Sequence, residues 1–348
     1  MGYGGDLIWT CVFRELKRNG QQGIAVETPM LSDILAGCLF RRDRDFTANA
    51  IFNLNPDIGH VTAKPKSWPV RVFDYLFQKL ITFDPIRRHY EQAIFQASQR
   101  QRTQSSGMDK QHILVHLDMR IHSYALQKKG RKIIWKEQPF AAAAVAEHFN
   151  ISIAEPSCFL VFSDDEWVTV DRMLVDAGVA QNFIVFDPDT NEDWFGLLRA
   201  WSPENWRELV TRAKRDFPGY QFVQIGLAKT GVVDGAVNLT SKTSFRQAAM
   251  VIARSSLFLG TESGLMHAAA AVDARSIILW GGVTRPEFAG YPDKHEIICR
   301  YVTCSPCGNL GHCDFNHKCM RQITVDDVLD RVRSMIGKAI SQAGRGNS

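Results

Sequence analysis

The stretch Leu257-Phe-Leu-Gly-Thr-Glu-Ser-Gly-Leu-Met-His-Ala-Ala-Ala-Ala271, followed by Ser276-Ile-Ile-Leu-Trp-Gly-Gly-Val-Thr-Arg-Pro286, decides the fold. It reads strand, tight turn, helix, strand, Gly-rich turn. Leu257 to Leu259 is short, apolar and closed by Gly260, as a buried parallel strand is. Thr261 to Gly264 forms a polar elbow, and Leu265 to Ala271 is small enough for a helix packed closely on a sheet. The first amides of such a helix have no internal partner and can hold an anion. Thr261 and Ser263 can cap or donate, and Glu262 and His267 are expected near the same mouth. A capped core helix with Glu262 as its N-terminal charge accounts for the same residues.

The run Gly260-Thr-Glu-Ser-Gly-Leu-Met-His-Ala-Ala-Ala-Ala271 and its sequel Leu279-Trp-Gly-Gly-Val-Thr-Arg-Pro286 resemble the donor-site signature of glycosyltransferase family 9, the ADP-heptose:lipopolysaccharide heptosyltransferase family. The family usually has Asp where this chain has Glu262. The resemblance implies an α/β chain of GT-B architecture, two Rossmann-like domains with a cleft between them. The expected division is 1–168 on the acceptor side and 169–348 holding the nucleotide-sugar, with the boundary near Ser163 to Asp176.

Length and composition agree with that class. A chain of 348 residues suits two domains, and 45% hydrophobic with 22% charged residues is ordinary for a globular protein. The net charge of +4 suits anionic small molecules or head groups and does not call for nucleic acid. No run of about 18 apolar residues and no signal-peptide pattern is evident, so a cytoplasmic protein is expected, peripheral at the inner membrane face at most.

At the start, Gly2-Tyr-Gly-Gly-Asp-Leu-Ile-Trp-Thr-Cys-Val-Phe-Arg-Glu-Leu-Lys-Arg18 is a Gly-rich turn opening an amphipathic helix with Ile8, Val12 and Leu16 on one face. It resembles the family's first turn, which makes Asp6 the implied catalytic base; capping the helix is the plainer role. A strand is expected ahead of such a turn, so the first sheet reads as one strand short. Gly23 to Pro29 is a plausible strand, Ser32 begins a helix, and Ala50 to Asn55 is a strand-like run. Arg41 to Arg44 is a basic loop. Trp68 to Tyr90 presents an aromatic, basic amphipathic face that packs into a core or rests on an anionic membrane. Ser98 to Lys110 lacks apolar periodicity and reads as a loop. His112 to Leu117 and Lys132 to Trp135 are strand candidates, and Phe140 to Phe149 a helix. Arg120 and His122 lie just past a strand and are acceptor-side candidates.

In the second half, Asn182-Phe-Ile-Val-Phe-Asp-Pro188 is a buried strand and turn. Ser202 is an N-cap with Pro203 at the first helical position. The segment resembles the family's Lys-x-Trp-Pro-x-Glu run, and Arg199 stands where the phosphate-contacting Lys is implied. Arg keeps the charge and adds a bidentate fork. The family commonly has a carboxylate soon after the next strand, thought to bind ribose; here Ala228-Lys-Thr230 follows Gly226-Leu227, with none until Asp234. Lys242 and Thr243 resemble the base-pocket segment, with Ser244 capping a helix through Ile252.

Cys304, Cys307, Cys313 and Cys319 follow at spacings x2, x5 and x5. Four thiols with intervening Pro and Gly can surround one tetrahedral zinc or an iron, with His312 and His317 in reserve; disulfides or free thiols are the alternatives. Ile323 to Ile340 is a final amphipathic helix, and the Gly-rich tail is expected to be disordered.

The implied reaction is inverting transfer of a heptose-like sugar from a nucleotide-sugar, ADP-linked, to a lipopolysaccharide-type or other glycan or glycolipid acceptor. Asp6 is its base; Arg199 and the amides at Ser263 and Gly264 hold the leaving diphosphate; Glu262 and His267 hold sugar and phosphates. No cofactor is expected for catalysis. The rival is a GT-B relative serving as a binding or assembly subunit without catalysis.

Overall fold

The computed structural model describes residues 3–20, 23–27, 51–52, 54–57, 60–62, 112–116, 126–129, 132–135, 140–146, 151–153, 156–190, 196–227, 229, 231–308 and 313–345. The sequence expectations for Ser32, Arg41 to Arg44, Trp68 to Tyr90, Ser98 to Lys110, Arg120, His122, His312 and the tail from Gly346 lie outside these residues.

The first half comprises α1 (Tyr3–Arg18), β1 (Gly23–Glu27), β2 (His60–Thr62), β3 (His112–His116), β4 (Leu126–Lys129), β5 (Lys132–Trp135) and α2 (Ala141–Ala146). β1 lies between β2 and β3 in a parallel sheet, and β4 pairs with β5 as an antiparallel ribbon. The expected face of α1 is buried, but Leu7, Trp9, Cys11 and Phe13 are buried too. A helix covered on most sides needs neighbours on most sides. Here α2 and the second-half helix that contains His267 supply them.

Within the strand expected from Ala50 to Asn55, the described residues Ile51, Phe52 and Leu54 lie in turns instead. Leu54 takes a left-handed φ of 61°, and Asn55 Oδ1 accepts the Asp57 amide at 2.9 Å across Pro56. The side-chain turn of Asn-Pro-Asp outcompetes strand pairing there.

The second half comprises α3 (Asp164–Asp176), β6 (Phe183–Phe186), α4 (Gly196–Arg199), α5 (Pro203–Asp216), β7 (Gln221–Gln224), β8 (Val237–Asn238), α6 (Phe245–Arg254), β9 (Leu257–Thr261), α7 (Gly264–Ala271), β10 (Ser276–Trp280), β11 (Glu296–Cys299), α8 (Lys318–Arg321) and α9 (Val325–Arg345). Its strands form one parallel sheet in the order β11-β10-β9-β6-β7-β8. The chain winds outward from β6 in one direction, then returns to β9 and winds in the other. The reversal therefore falls between β6 and β9, and in doubly wound sheets ligands bind outside the carboxyl ends at that point.

The continuous apolar runs follow from burial on both faces. Alternate residues Val185, Val223, Phe258 and Ile278 join Met250 of α6 and Ala269 of α7 in one core. Ile184, Phe186, Leu257, Leu259 and Leu279 face Trp206, Leu209 and Val210 of α5 and Val328, Leu329 and Val332 of α9 in the other. Trp201 and Trp206 meet edge to face at 5.1 Å, and Trp201 Nε1 donates to Ile323 O at 2.8 Å, so each indole body packs while one polar tip is satisfied.

Helix starts are chemically marked. Ser202 Oγ accepts the Asn205 amide, with Pro203 first in α5, and Ser244 forms a capping box with Gln247. Such a cap contributes about 1 kcal/mol. The segment Ser163 to Asp176 is a docked helix with its own capping box. Arg246 of α6 grips Glu166 through Nε and Nη2 at 2.6 and 2.8 Å, and this guanidinium holds the Glu166 carboxyl below its usual range.

Candidate active site

The carboxyl ends of β6 and β9 build the site. After β9, Thr261, Glu262 and Ser263 make the elbow and α7 begins at Gly264. Ser263 occupies the N-cap position, and of the two roles open to it, capping or donating, its side chain makes no cap bond. Thr261 Oγ1, Glu262 Oε2 and Ser263 Oγ are all buried without a protein partner. Buried polar atoms normally have partners, so three such atoms at one uncapped helix N-terminus fit a polar ligand.

Arg199 ends α4, on the chain leaving β6, and its Nη1 stands 3.4 Å from Glu262 Oε1. The structure thus brings together the two side chains expected to divide phosphate from hydroxyls. Burial pushes the Glu262 carboxyl up, and the Arg199 guanidinium opposes that shift. Gly281, just past β10, holds the backbone of this arrangement closed: a Cβ there would come within 2.9 Å of Leu198 O. Only glycine allows that approach without displacement.

Asp6 is buried in the first turn of α1. That turn reaches α7: a Cβ on Gly4 would overlap the His267 ring, standing 3.0 Å from Nε2. His267 is turned toward this contact and toward Tyr291, whose hydroxyl lies 2.9 Å from Nδ1. Its ring thus packs between α1 and Tyr291, one helical turn into α7 from the elbow that carries Glu262. Cys158 adds a thiol contact to His267 O at 3.5 Å.

Lys242 and Thr243 precede α6. The Lys242 ammonium is exposed and donates to Asn238 O at 2.8 Å. Lys242 also lines a shallow depression with Thr169, Arg172 and Asp176 of α3.

Two residues that sequence reasoning treats only as a turn stand at the switch point. Asp187 and Asp189 follow β6 and are buried. Asp187 Oδ1 accepts the Asp189 amide at 3.2 Å, and Asp189 Oδ2 accepts the Lys229 amide at 2.9 Å. Burial pushes the Asp187 carboxyl up to about 8, against the Asp189 amide, which lowers it. Gly226, with φ +97°, leaves room for this side chain at the end of β7. Carboxylates directly after a buried Phe-Ile-Val-Phe strand are the signal that points to them.

The cysteine segment lies against the turn that follows β10. Among the described residues Cys304, Cys307, Cys313 and Cys319 form no disulfide, and all four are half-buried. Gly282 N donates to Cys319 Sγ at 3.3 Å, His317 N donates to Cys313 Sγ at 3.2 Å, and Cys307 N donates to Gly282 O at 2.8 Å. Amide donors to sulfur support thiolate ligands, so the donor chemistry fits zinc or iron. Among the described residues, no three side chains of metal-binding type converge on one point. Among them also, no helix is long and apolar enough to cross a membrane.

A doubly wound parallel sheet with an uncapped helix N-terminus, an arginine and carboxylates at its switch point defines an α/β protein whose candidate ligand site lies at the carboxyl ends of β6 and β9. Residues 101–313 match glycosyltransferase family 9 (heptosyltransferase), and the chain belongs to that family. It is 26% identical over 158 residues to lipopolysaccharide heptosyltransferase 2 of Salmonella typhimurium, an alignment covering 41% of this chain and 44% of that protein. The chain thus matches somewhat under half the length of that curated relative. Among solved structures, the ADP-heptose lipopolysaccharide heptosyltransferase II of E. coli superposes with a TM-score of 0.51 at 17% identity, covering 91% of this chain and 99% of that one. The iron-containing dodecameric glycosyltransferase TibC from enterotoxigenic E. coli H10407 gives 0.53 at 12% identity, covering 92% and 77%. These likenesses establish the GT-B fold expected from the motif.

Proposed function

We propose that the protein is an inverting glycosyltransferase that moves a heptose-like sugar from an ADP-linked donor to a lipopolysaccharide-type or other glycan acceptor. The observation that carries this reading is the elbow after β9. Thr261 Oγ1, Glu262 Oε2 and Ser263 Oγ are buried there without protein partners, beside Arg199 and the open amides of α7. A nucleoside diphosphate-sugar has the matching groups: phosphate oxygens for the amides and Arg199, hydroxyls for Glu262. The GT-B fold and the family support the same assignment, with residues 1–168 on the acceptor side and 169–348 on the donor side.

In this reading Asp6 takes the proton from the attacking acceptor hydroxyl as its oxygen bonds to the anomeric carbon. The bond from that carbon to the diphosphate breaks, and Arg199 with the Ser263 and Gly264 amides stabilises the charge on the departing oxygen. His267 acts through packing: Tyr291 holds its ring against the Gly4 turn, which keeps Asp6 and the α7 N-terminus in register. Lys242, Thr243, Arg120 and His122 remain proposed donor- and acceptor-side contacts. We also propose that Cys304, Cys307, Cys313 and Cys319 hold a structural zinc or iron; the TibC glycosyltransferase, of similar fold, is an iron-containing protein. The proposed setting is the cytoplasm, with peripheral contact at the inner membrane face.

A second reading is favoured by the burial of Asp6 at 1% exposure: a binding or assembly subunit without turnover. A screen of ADP-, UDP- and GDP-sugars by thermal shift, followed by a transfer assay with the stabilising donor, separates the two. Stabilisation by ADP-sugars with measurable donor turnover supports the enzyme. Stabilisation without transfer or hydrolysis supports the subunit, and no stabilisation by any of them removes both.

A further inference from the structure

Asp6, Thr10 and Arg14 follow one another at four-residue spacing and share one face of α1. Thr10 is fully buried, and its hydroxyl has a fixed orientation. Oγ1 donates its single proton to Leu7 O at 2.6 Å, the back-bond open to a threonine in a helix. Its lone pairs are therefore what a neighbouring chain segment meets, and they accept the Phe159 amide at 3.2 Å. One turn further on, the Arg14 guanidinium lies over the Phe159 ring, 3.6 Å from its centroid. The peptide and the ring of one residue are thus both held by α1, along the face that carries Asp6.

Phe159 belongs to the stretch that leads from the first half into α3, and this stretch is fastened to the second half on either side of it. Cys158 Sγ donates to His267 O at 3.5 Å, one turn into α7 from the elbow. Arg246 Nη2 of α6 donates to Val161 O at 2.6 Å, and the same guanidinium lies over the Phe162 ring at 4.8 Å. Glu166, in the capping box of α3, holds Arg246 in turn. Cys158 to Phe162 is therefore a strap, gripped by α7 and α6 at its flanks and by α1 at Phe159. Apolar burial keeps α1 in place without direction, whereas a hydrogen bond to a buried hydroxyl has one. The Thr10 bond fixes the rotation of α1 about its axis, and any such rotation carries Asp6 with it.

We propose that Thr10 is a positioning residue for the transfer. Through the strap at Phe159 it sets the rotation of α1, and so the place of the Asp6 carboxyl relative to the donor elbow; Arg14 supports the same contact. This rests on Asp6 as the base in the reading above. A residue of this kind acts on rate and not on donor binding, since Arg199 and the elbow hold the donor. Displacing a reacting group by about 1 Å can cost about a hundredfold in rate.

Kinetics on the full chain test this, with ADP-heptose as donor, lipopolysaccharide core as acceptor, and donor affinity measured by calorimetry. Thr10→Val keeps the shape and removes the hydroxyl. It is expected to lower kcat about tenfold to a hundredfold with donor Kd unchanged. Thr10→Ser keeps the hydroxyl and is expected to recover most of the loss. In an Asp6→Asn background Thr10→Val should cost nothing further, because a residue that acts through Asp6 has nothing left to position. A merely structural Thr10 lowers the melting temperature with kcat intact, and that result overturns the proposal. Equal losses in Thr10→Val and Thr10→Ser, donor affinity falling in step with kcat, or additive losses in the double variant overturn it too. If Thr10→Val does not fold, Arg14→Met carries the test from its partly exposed position: kcat falls with Kd unchanged, and an unchanged kcat overturns the proposal. Turnover near wild type in Asp6→Asn, or none in wild type, removes the base reading and this inference with it. Loss of turnover in Asp6→Asn with wild-type kcat in Thr10→Val removes this inference alone.

Discussion

Arg199 Nη1 lies 3.4 Å from Glu262 Oε1, although the two residues are 63 positions apart (262 minus 199) and arrive from different strand ends. Each is the other's counter-charge in a largely dehydrated place. A buried carboxyl that has lost its cation is costly, and a guanidinium freed from its carboxylate is a better phosphate clamp. Donor binding is therefore expected to reorganise this pair: phosphate takes the guanidinium, and sugar hydroxyls take the carboxylate.

Opposite signs follow for the two truncations. Arg199→Ala should weaken nucleoside diphosphate binding by about tenfold to a hundredfold, since a charge-assisted contact is lost. Glu262→Ala should leave the nucleoside diphosphate unchanged or tighter, and weaken the nucleotide-sugar. Calorimetry with both ligands on both variants decides it. Equal weakening of both ligands by Glu262→Ala contradicts a sugar-reading role.

Asp187 should make stability depend on pH. Its folded value of about 8 lies above the ordinary aspartate value of 3.8, so the native state holds a proton that the unfolded chain releases. The contribution is full below the unfolded value and declines as pH rises toward the folded one, because the folded chain binds more protons throughout that window. Between about pH 5 and pH 8 the melting temperature should fall more for wild type than for Asp187→Asn. Asn cannot ionise and still offers an acceptor to the Asp189 amide. Parallel melting curves across that range would show that Asp187 is not a neutral carboxyl in the fold.

Most of the second half is legible because local chemistry and global packing agree there. Phe183 to Phe186, Leu257 to Leu259 and Ser276 to Trp280 are apolar nearly throughout, which only a sheet covered on both faces explains. Ser202-Pro203 and Ser244 announce their helices. The elbow can be read from Thr261 to Gly264, and the nearness of Arg199 to Glu262 follows from strand ends. Other features depend on tertiary partners that carry no local mark. His267 has helical spacing from Glu262, but Tyr291 and Gly4, remote in sequence, set its ring orientation. Asp187 and Asp189 read as turn residues because their significance lies in the β6–β9 reversal, which pairing alone reveals. Ala50 to Asn55 fails for the opposite reason: its apolar pair suggests a strand, and the Asn-Pro-Asp turn beside it decides the backbone.

Asp6→Asn should keep donor binding and lose turnover. Asp6 sits in the first turn of α1, a helix that packs on α7, while the Arg199–Glu262 pair lies at the strand ends of the second-half sheet. Asn is close in shape, so the packing of α1 should survive. Loss of a general base typically lowers turnover by about 10²–10⁴-fold. Parallel measurements of donor affinity and sugar transfer test this, and turnover near wild type would assign the proton transfer elsewhere.

The last expectation concerns the thiols. Cys319 Sγ receives the Gly282 amide, and Cys307 N returns a bond to Gly282 O, so the cysteine segment grips the turn that follows β10. The same turn lies against the site through Gly281, which approaches Leu198 O and the Arg199 Cα. Ligation of a metal by Cys304, Cys307, Cys313 and Cys319 would therefore stiffen the wall behind Arg199. Protein purified under reducing conditions should carry close to one zinc or iron per chain by elemental analysis. Cys319→Ser should lower that content and the melting temperature together, and a chelator should reproduce both effects in wild type. Metal-free wild type with an unchanged melting temperature would mean that the thiols serve the turn through hydrogen bonds alone.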